Sequence, residues 1–319
     1  MRTNTAEIIS KDFTPIIRYI QEKDKFKIKN RIFLRMFLFI LTNIAIMVSL
    51  IVISKGSLLR FVPFLLIASI LFPFIRLVFS KGLAKRSHKI KMIDPKNFIS
   101  AEEECFYGLV VTLTQKTNIK KVPEVGIYES DDINAFATGR SKNKSLIAFS
   151  SGLLNSMNQE QVAAVTAHEI AHIANGDMVT LTLIQSTVNL FVNVVTLPIL
   201  LWKWLFSLYS NNRGRAIFWF ISVVYALATF LLAFLGSLMV KQFSRRREYK
   251  ADALAAQLID RDSMISALKF LKNTPSIKSK LDSHAAFKIN SYKRWLFLLS
   301  THPPIEKRIK ALEKRKPFN

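Results

Sequence analysis

His168-Glu169-Ile170-Ala171-His172 sets two imidazoles and a carboxylate within one short run of the chain. A helix signal surrounds it. Met157-Asn158-Gln159-Glu160 opens the helix, with Asn158 or Ser156 as the cap, and apolar residues recur at Val162, Val165, Ile170 and Ile173. Asn175-Gly176 reads as the stop. On such a helix the two histidines project from one face, one turn apart. That is the spacing two ligands need to share one Zn²⁺ at Zn–N distances near 2 Å. Glu169 sits about 100° round the helix from His168. It is therefore beside the metal rather than on it, placed to take a proton from the attacking water. The chain has five histidines, so a chance H-E-x-x-H is on the order of a few in a thousand.

Two histidines leave the zinc short of a third protein ligand, an acid or imidazole on another element. Glu248 is the leading candidate, in Arg246-Arg247-Glu248-Tyr249-Lys250-Ala251-Asp252, which begins a helical stretch running through Ile259. Asp252 follows Glu248 by one turn and faces the same way. A carboxylate there can accept the free N–H of a metal-bound imidazole and fix its tautomer.

Working outward, four apolar segments approach bilayer length: Ile32–Ile53, Leu58–Phe79 (interrupted by Pro63 and Pro73), Val179–Leu201 and Ala216–Val240. Half of the residues are hydrophobic, 50%, while the net charge is +24. These values agree if apolar spans and basic flanks are segregated, as in a membrane protein with Lys and Arg on the cytoplasmic side. Basic residues lie beside the apolar runs without the interleaved aromatics of a base-stacking surface, so nucleic acid is not expected as a partner. The heavily basic flanks Lys23–Arg31, Lys81–Lys91 and Lys241–Lys250 predict that both termini and the long 81–178 segment are cytoplasmic. The expected order is a basic cytoplasmic extension (1–31), a first transmembrane hairpin (32–80), a cytoplasmic catalytic segment (81–178), a second hairpin (179–243) and a cytoplasmic segment with the third ligand (244–319). In this arrangement His172 precedes the third span by about 10 Å and Glu248 follows the fourth by about 12 Å, at matching depth.

Within the catalytic segment a helix is expected from Ala101 to about Thr117. Strands are expected at Glu124–Glu129, Asn134–Thr138 and Ser145–Ser150. Cys105 is the only cysteine. No intrachain disulfide is possible, in keeping with a reducing compartment.

Four blocks now carry a resemblance. They are His168 through Thr180, Asp132-Ile133-Asn134-Ala135-Phe136-Ala137-Thr138-Gly139, Phe243-Ser244-Arg245 with Arg247-Glu248, and Thr301-His302-Pro303-Pro304. In order and spacing, over roughly residues 30 to 315, they resemble the HtpX family of bacterial membrane zinc metalloproteases. The resemblance implies a predominantly α-helical membrane protein: two transmembrane hairpins and a cytoplasmic, zincin-like α+β catalytic domain with a small β-sheet. It implies one Zn²⁺ held by His168, His172 and Glu248, with Glu169 as catalytic acid/base. It further implies an endopeptidase of the cytoplasmic (inner) membrane that acts in stress responses on misfolded or damaged membrane proteins and unfolded polypeptides. The first thirty residues have no counterpart in the family pattern, and Lys250 stands where an imidazole is expected.

Asn134-Ala135-Phe136 reads either as a strand edge that pairs with extended substrate or as a core strand in which Phe136 is simply packed. His302 starts a helix, or it stands near the active site. A metal transporter would place ionisable ligands inside its spans, and these contain no His, Asp or Glu. A silent scaffold has no use for Glu169. A processing enzyme with one client would use the same catalytic residues.

Overall fold

In the computed structural model the chain is described over residues 11–26, 32–53, 62–209, 215–273 and 303–314. Its element order is α1 (Thr14–Glu22), α2 (Ile32–Ile53), α3 (Val62–Ser87), β1 (Lys91–Met92), α4 (Ala101–Lys116), β2 (Glu124–Tyr128), β3 (Ala135–Ser141) and β4 (Lys144–Ser150). There follow α5 (Ser151–Ser156), α6 (Gln159–Asn175), α7 (Asp177–Tyr209), α8 (Arg215–Leu258), α9 (Arg261–Asn273) and α10 (Ile305–Glu313). The chain divides into two units. The first comprises Met1–Asn30, Arg76–Val179 and Ser244–Asn319, and the second Arg31–Ile75 and Thr180–Phe243.

The first unit is built on a four-stranded sheet of order β1-β2-β4-β3. β2 runs parallel to β4, whereas β1 and β3 are antiparallel to their neighbours. The apolar run Leu146–Phe149 of β4 is fully buried, as a central strand requires. β3 lies at the sheet edge. The structure extends it to Ser141 and starts β4 at Lys144, so Lys142 and Asn143 form a tight hairpin turn. β2 stops at Tyr128, one residue short of the expected end.

Helix α6 is the central helix of this unit. Asn158, not Ser156, caps it: its Oδ1 accepts from Gln161 N at 2.8 Å, and Gln161 Oε1 accepts from Asn158 N at 3.1 Å. One face, with Val162, Ala163, Ala167, Ile170, Ala171 and Ala174, is buried in the core. Small residues there let α4, α9 and β3 approach closely. Gly176 ends the helix at φ 68°, ψ 35°, a left-handed turn that costs most residues strain but glycine little.

The amino-terminal segment joins the same core. Phe13 and Ile20 are fully buried, and the Phe13 ring lies 5.5 Å from that of Phe106 on α4. Lys116 Nζ donates to the carbonyls of Gln21 and Lys23, and Lys23 Nζ to those of Gln257 and Ile259.

The second unit is helical throughout its described residues. Asp177–Thr196 and Ile217–Leu258 are long and apolar enough to cross a membrane, and Phe33–Ile46 is a shorter apolar helix. The second apolar segment is one helix, Val62–Ser87, through Pro73; the expected start at Leu58 lies outside the described residues. Trp219, Phe220 and Phe230 are 68–70% exposed, a surface suited to hydrocarbon rather than water. Gly236 packs against Val188, whose Cγ1 would lie 2.2 Å from any added Cβ. This is the close approach that small residues allow between membrane helices.

Candidate metal centre

Helix α6 presents His168 and His172, with their ring centroids 4.6 Å apart and the rings nearly perpendicular. Glu248, on the carboxyl-terminal part of α8, is brought against both. Its Oε2 lies 3.5 Å from His168 Nε2, and its Oε1 lies 3.4 Å from His172 Nε2. The two Nε2 atoms are 3.1 Å apart. A zinc with bonds of about 2 Å has tetrahedral edges of about 3.3 Å, so these three groups fit one such ion. Ligand atoms of the three residues all lie within 4.8 Å of one another. Glu248 is 2% exposed and His168 8%, so the donors are held by packing. Glu169, the residue after the first histidine, is only partly buried.

Each imidazole has its own carboxylate on the far side. Asp252 Oδ1 lies 3.0 Å from His168 Nδ1, off the line of the ring N–H. Asp177 Oδ2 lies 2.7 Å from His172 Nδ1. Carboxylates in these places keep the Nδ1 protons on the ring and turn the Nε2 lone pairs toward a shared metal. Burial disfavours charge on His172, yet its bonds to Asp177 and Glu248 outweigh this and push its pKa up to about 10. His168 is raised for the same reason, with burial overcome by Asp252 and Glu248. So many carboxylates in so small a volume call for a cation, and two imidazoles with one carboxylate are donors of the kind that suit zinc.

Residues 108–316 match Peptidase family M48. The chain belongs to peptidase family M48. It is 40% identical over 301 residues to the protease HtpX of Wigglesworthia glossinidia brevipalpis, a match covering 89% of this chain and 98% of that one. It is 41% identical over 300 residues to the protease HtpX of Tolumonas auensis, covering 87% and 98%. The protease HtpX homolog of Fusobacterium nucleatum is 38% identical over 266 residues, covering 81% and 84%. In fold the chain is similar to the crystal structure of S. mikatae Ste24p, with a TM-score of 0.52 at 18% identity. That match covers 88% of this chain and 62% of the other. M48 is a metalloprotease family, which agrees with the donor set.

Around this cluster stand two residues that the motif alone does not reveal. Asp177 had a local signal, since a carboxylate just past the left-handed Gly176 is returned toward the last turn of α6. Its backbone oxygen also accepts from Arg247 Nη1 at 2.9 Å. Arg308, on α10, had none. Its Nε and Nη2 hold the two oxygens of Asp252 at 2.8 and 2.5 Å, and its Nη1 lies 3.8 Å from Glu248 Oε2. Lys250 is exposed, so the unusual residue of this M48 chain points away from the donors. The Phe136 ring packs at a tilt against His88, 5.2 Å away, and Tyr128, 5.8 Å away, while Asn134 is exposed and pairs through its backbone with Ser150. His302 lies outside the described residues.

Proposed function

We propose that the chain is a zinc-dependent endopeptidase of the bacterial cytoplasmic membrane. It hydrolyses peptide bonds of misfolded or damaged membrane proteins and unfolded polypeptides at the cytoplasmic face, as part of quality control under stress. The observation that carries this reading is the convergence of His168, His172 and Glu248 on one point, with Glu169 next to it in the motif. Basic flanks and four apolar segments support two transmembrane hairpins with both termini and the 81–178 segment cytoplasmic.

In this reading His168, His172 and Glu248 hold the zinc. When bound, the ion supplies Lewis-acid polarisation of the scissile carbonyl and lowers the pKa of water. The Glu169 carboxylate accepts a proton from the attacking water as its oxygen bonds to the carbonyl carbon. It then delivers that proton to the departing amine as the C–N bond breaks. Asp252 and Asp177 keep the two imidazoles oriented throughout. The open edge of β3, beginning beside Asn134 and Phe136, offers backbone donors and acceptors to an extended substrate, which suits cleavage with little sequence preference. Phe136→Ala with full stability and undiminished peptide turnover would remove that side chain from the substrate site.

The test compares purified wild type with Glu169→Gln and Glu248→Ala, by metal analysis and by cleavage of an unfolded membrane protein. Glu169→Gln is expected to keep stoichiometric zinc and lose turnover, and Glu248→Ala to lose zinc. Full activity in Glu169→Gln would overturn the mechanism.

A further inference from the structure

A span in hydrocarbon must satisfy its polar groups within the protein, and most of α7 does so. The hydroxyls of Ser186, Thr187 and Thr196 donate to their own helix, to the carbonyls of Thr182, Leu183 and Val192 at 2.7, 3.1 and 2.8 Å. Three carboxamides do not follow this pattern. Gln185, Asn189 and Asn193 succeed one another at one-turn intervals and form a single stripe about 12 Å long. Gln185 Nε2 donates to Asn189 Oδ1 at 2.9 Å. Among the described residues the side chain of Asn189 makes no other hydrogen bond, and that of Asn193 makes none. Both asparagines are exposed, inside the Asp177–Thr196 stretch that is apolar enough to span a membrane. Exposed Phe191 and Val195 line the same part of the helix.

Lipid chains offer these amides neither donors nor acceptors. The stripe presents the Gln185 carbonyl, the Asn189 amide N–H groups and both functions of Asn193. It can therefore pair with a donor or an acceptor at several depths, within an otherwise apolar face suited to packing a helix. We infer that this stripe docks the transmembrane helix of a substrate that carries an unpaired polar side chain. A folded membrane protein has its polar groups paired inside its own bundle, whereas a misfolded or orphaned one turns them to lipid. The stripe thus selects for the state of the client rather than its sequence. The inference rests on the endopeptidase reading above and supplies its substrate class with a physical mark.

The experiment uses the full-length Glu169→Gln chain, fluorescently labelled, in phosphatidylcholine vesicles. Its partners are labelled single-span polyleucine helices of about 20 residues, with or without one central Asn. The Asn helix should associate about 3- to 20-fold more tightly than the all-Leu helix, the range of one or two interhelical hydrogen bonds. Gln185→Leu, Asn189→Leu and Asn193→Leu together should abolish the preference, and Asn193→Gln alone should keep it. Leucine suits a membrane helix, and unchanged helicity and Tm will confirm intact folding. Equal binding of both helices by the unsubstituted stripe, or an undiminished preference in the Leu chain, overturns the inference. Chain–chain energy transfer that falls on Leu substitution, without any peptide preference, overturns it in favour of a second copy. With Glu169 intact, the Leu chain should cut a water-soluble unfolded polypeptide as fast as the parent. Loss of that activity shows that the stripe does more than dock and overturns the assignment. If the parent itself fails to cut, the endopeptidase reading falls while the capture preference still decides the stripe.

Discussion

Arg308 makes the site a closed chain of contacts running from guanidinium to carboxylate to imidazole. The buried Asp252 would face His168 without a fixed orientation if nothing held its oxygens. Arg308 grips both of them, at 2.8 and 2.5 Å, in the bidentate geometry that a lysine cannot reproduce. Asp252→Asn is expected to weaken zinc binding by about 10- to 100-fold, measured by competition with a chelating dye. Arg308→Ala should do the same and also destabilise the unit by about 3–5 kcal/mol, because it strands a buried carboxylate. Arg308→Lys should recover most of the stability but only part of the metal affinity. Equal affinity in Arg308→Ala and wild type would reduce Arg308 to a structural ion pair. The motif H-E-x-x-H is visible in sequence because helical spacing alone creates it. Arg308 is not, because its partner Asp252 is far away in the chain and only folding joins them.

Elements carry their own signals with varying strength. The start and stop of α6 were legible because Asn158, Gln161 and Gly176 act locally, through a capping box and a left-handed turn. Asn158→Ala should therefore cost about 1 kcal/mol, seen as a lower Tm with zinc stoichiometry unchanged. At the end of α3, Lys89 occupies φ 49°, with Ile90 N donating to Lys85 O at 3.1 Å and Lys89 N to Arg86 O at 3.4 Å. That is a Schellman turn with lysine where glycine is usual, so Lys89→Gly should stabilise the chain by about 1 kcal/mol. A lower Tm in that variant would contradict the turn assignment. In the second unit Gly236→Val should drive a side chain into Val188 and destabilise by about 1–3 kcal/mol, read as earlier unfolding in detergent. The two-residue β1 and the short α5 carried no usable pattern, since neither is long enough to show a period. Helix α9 did carry a period, with Met264, Ile265, Leu268 and Leu271 at helical spacing, and was legible without the fold.

At the scale of the whole molecule the basic amino-terminal extension takes a structural role that composition left open. Composition marked residues 1–31 as polar, yet Phe13 and Ile20 are wholly inside the first unit's core. Phe13→Ala should accordingly cost about 3–5 kcal/mol, and deleting residues 1–26 should lower the Tm further. A deletion that leaves the Tm unchanged would show that the extension is dispensable to folding. Phe13, Ile16, Ile17 and Ile20 follow the i, i+3, i+4, i+7 period of an apolar helix face, but what that face packs on emerges only when α4 is folded beside it. The H-E-x-x-H helix, by contrast, was already defined by residues 158–176, because caps, helical period and ligand spacing all act within five turns of one another. The apolar segments were equally plain, since hydropathy is a property of a contiguous run. Glu248 could be named beside the histidines from sequence, because its depth next to an apolar segment matches theirs. Asp252 held by Arg308 and Phe13 against Phe106 had to wait for the folded chain, since they depend on long-range packing that local pattern does not encode.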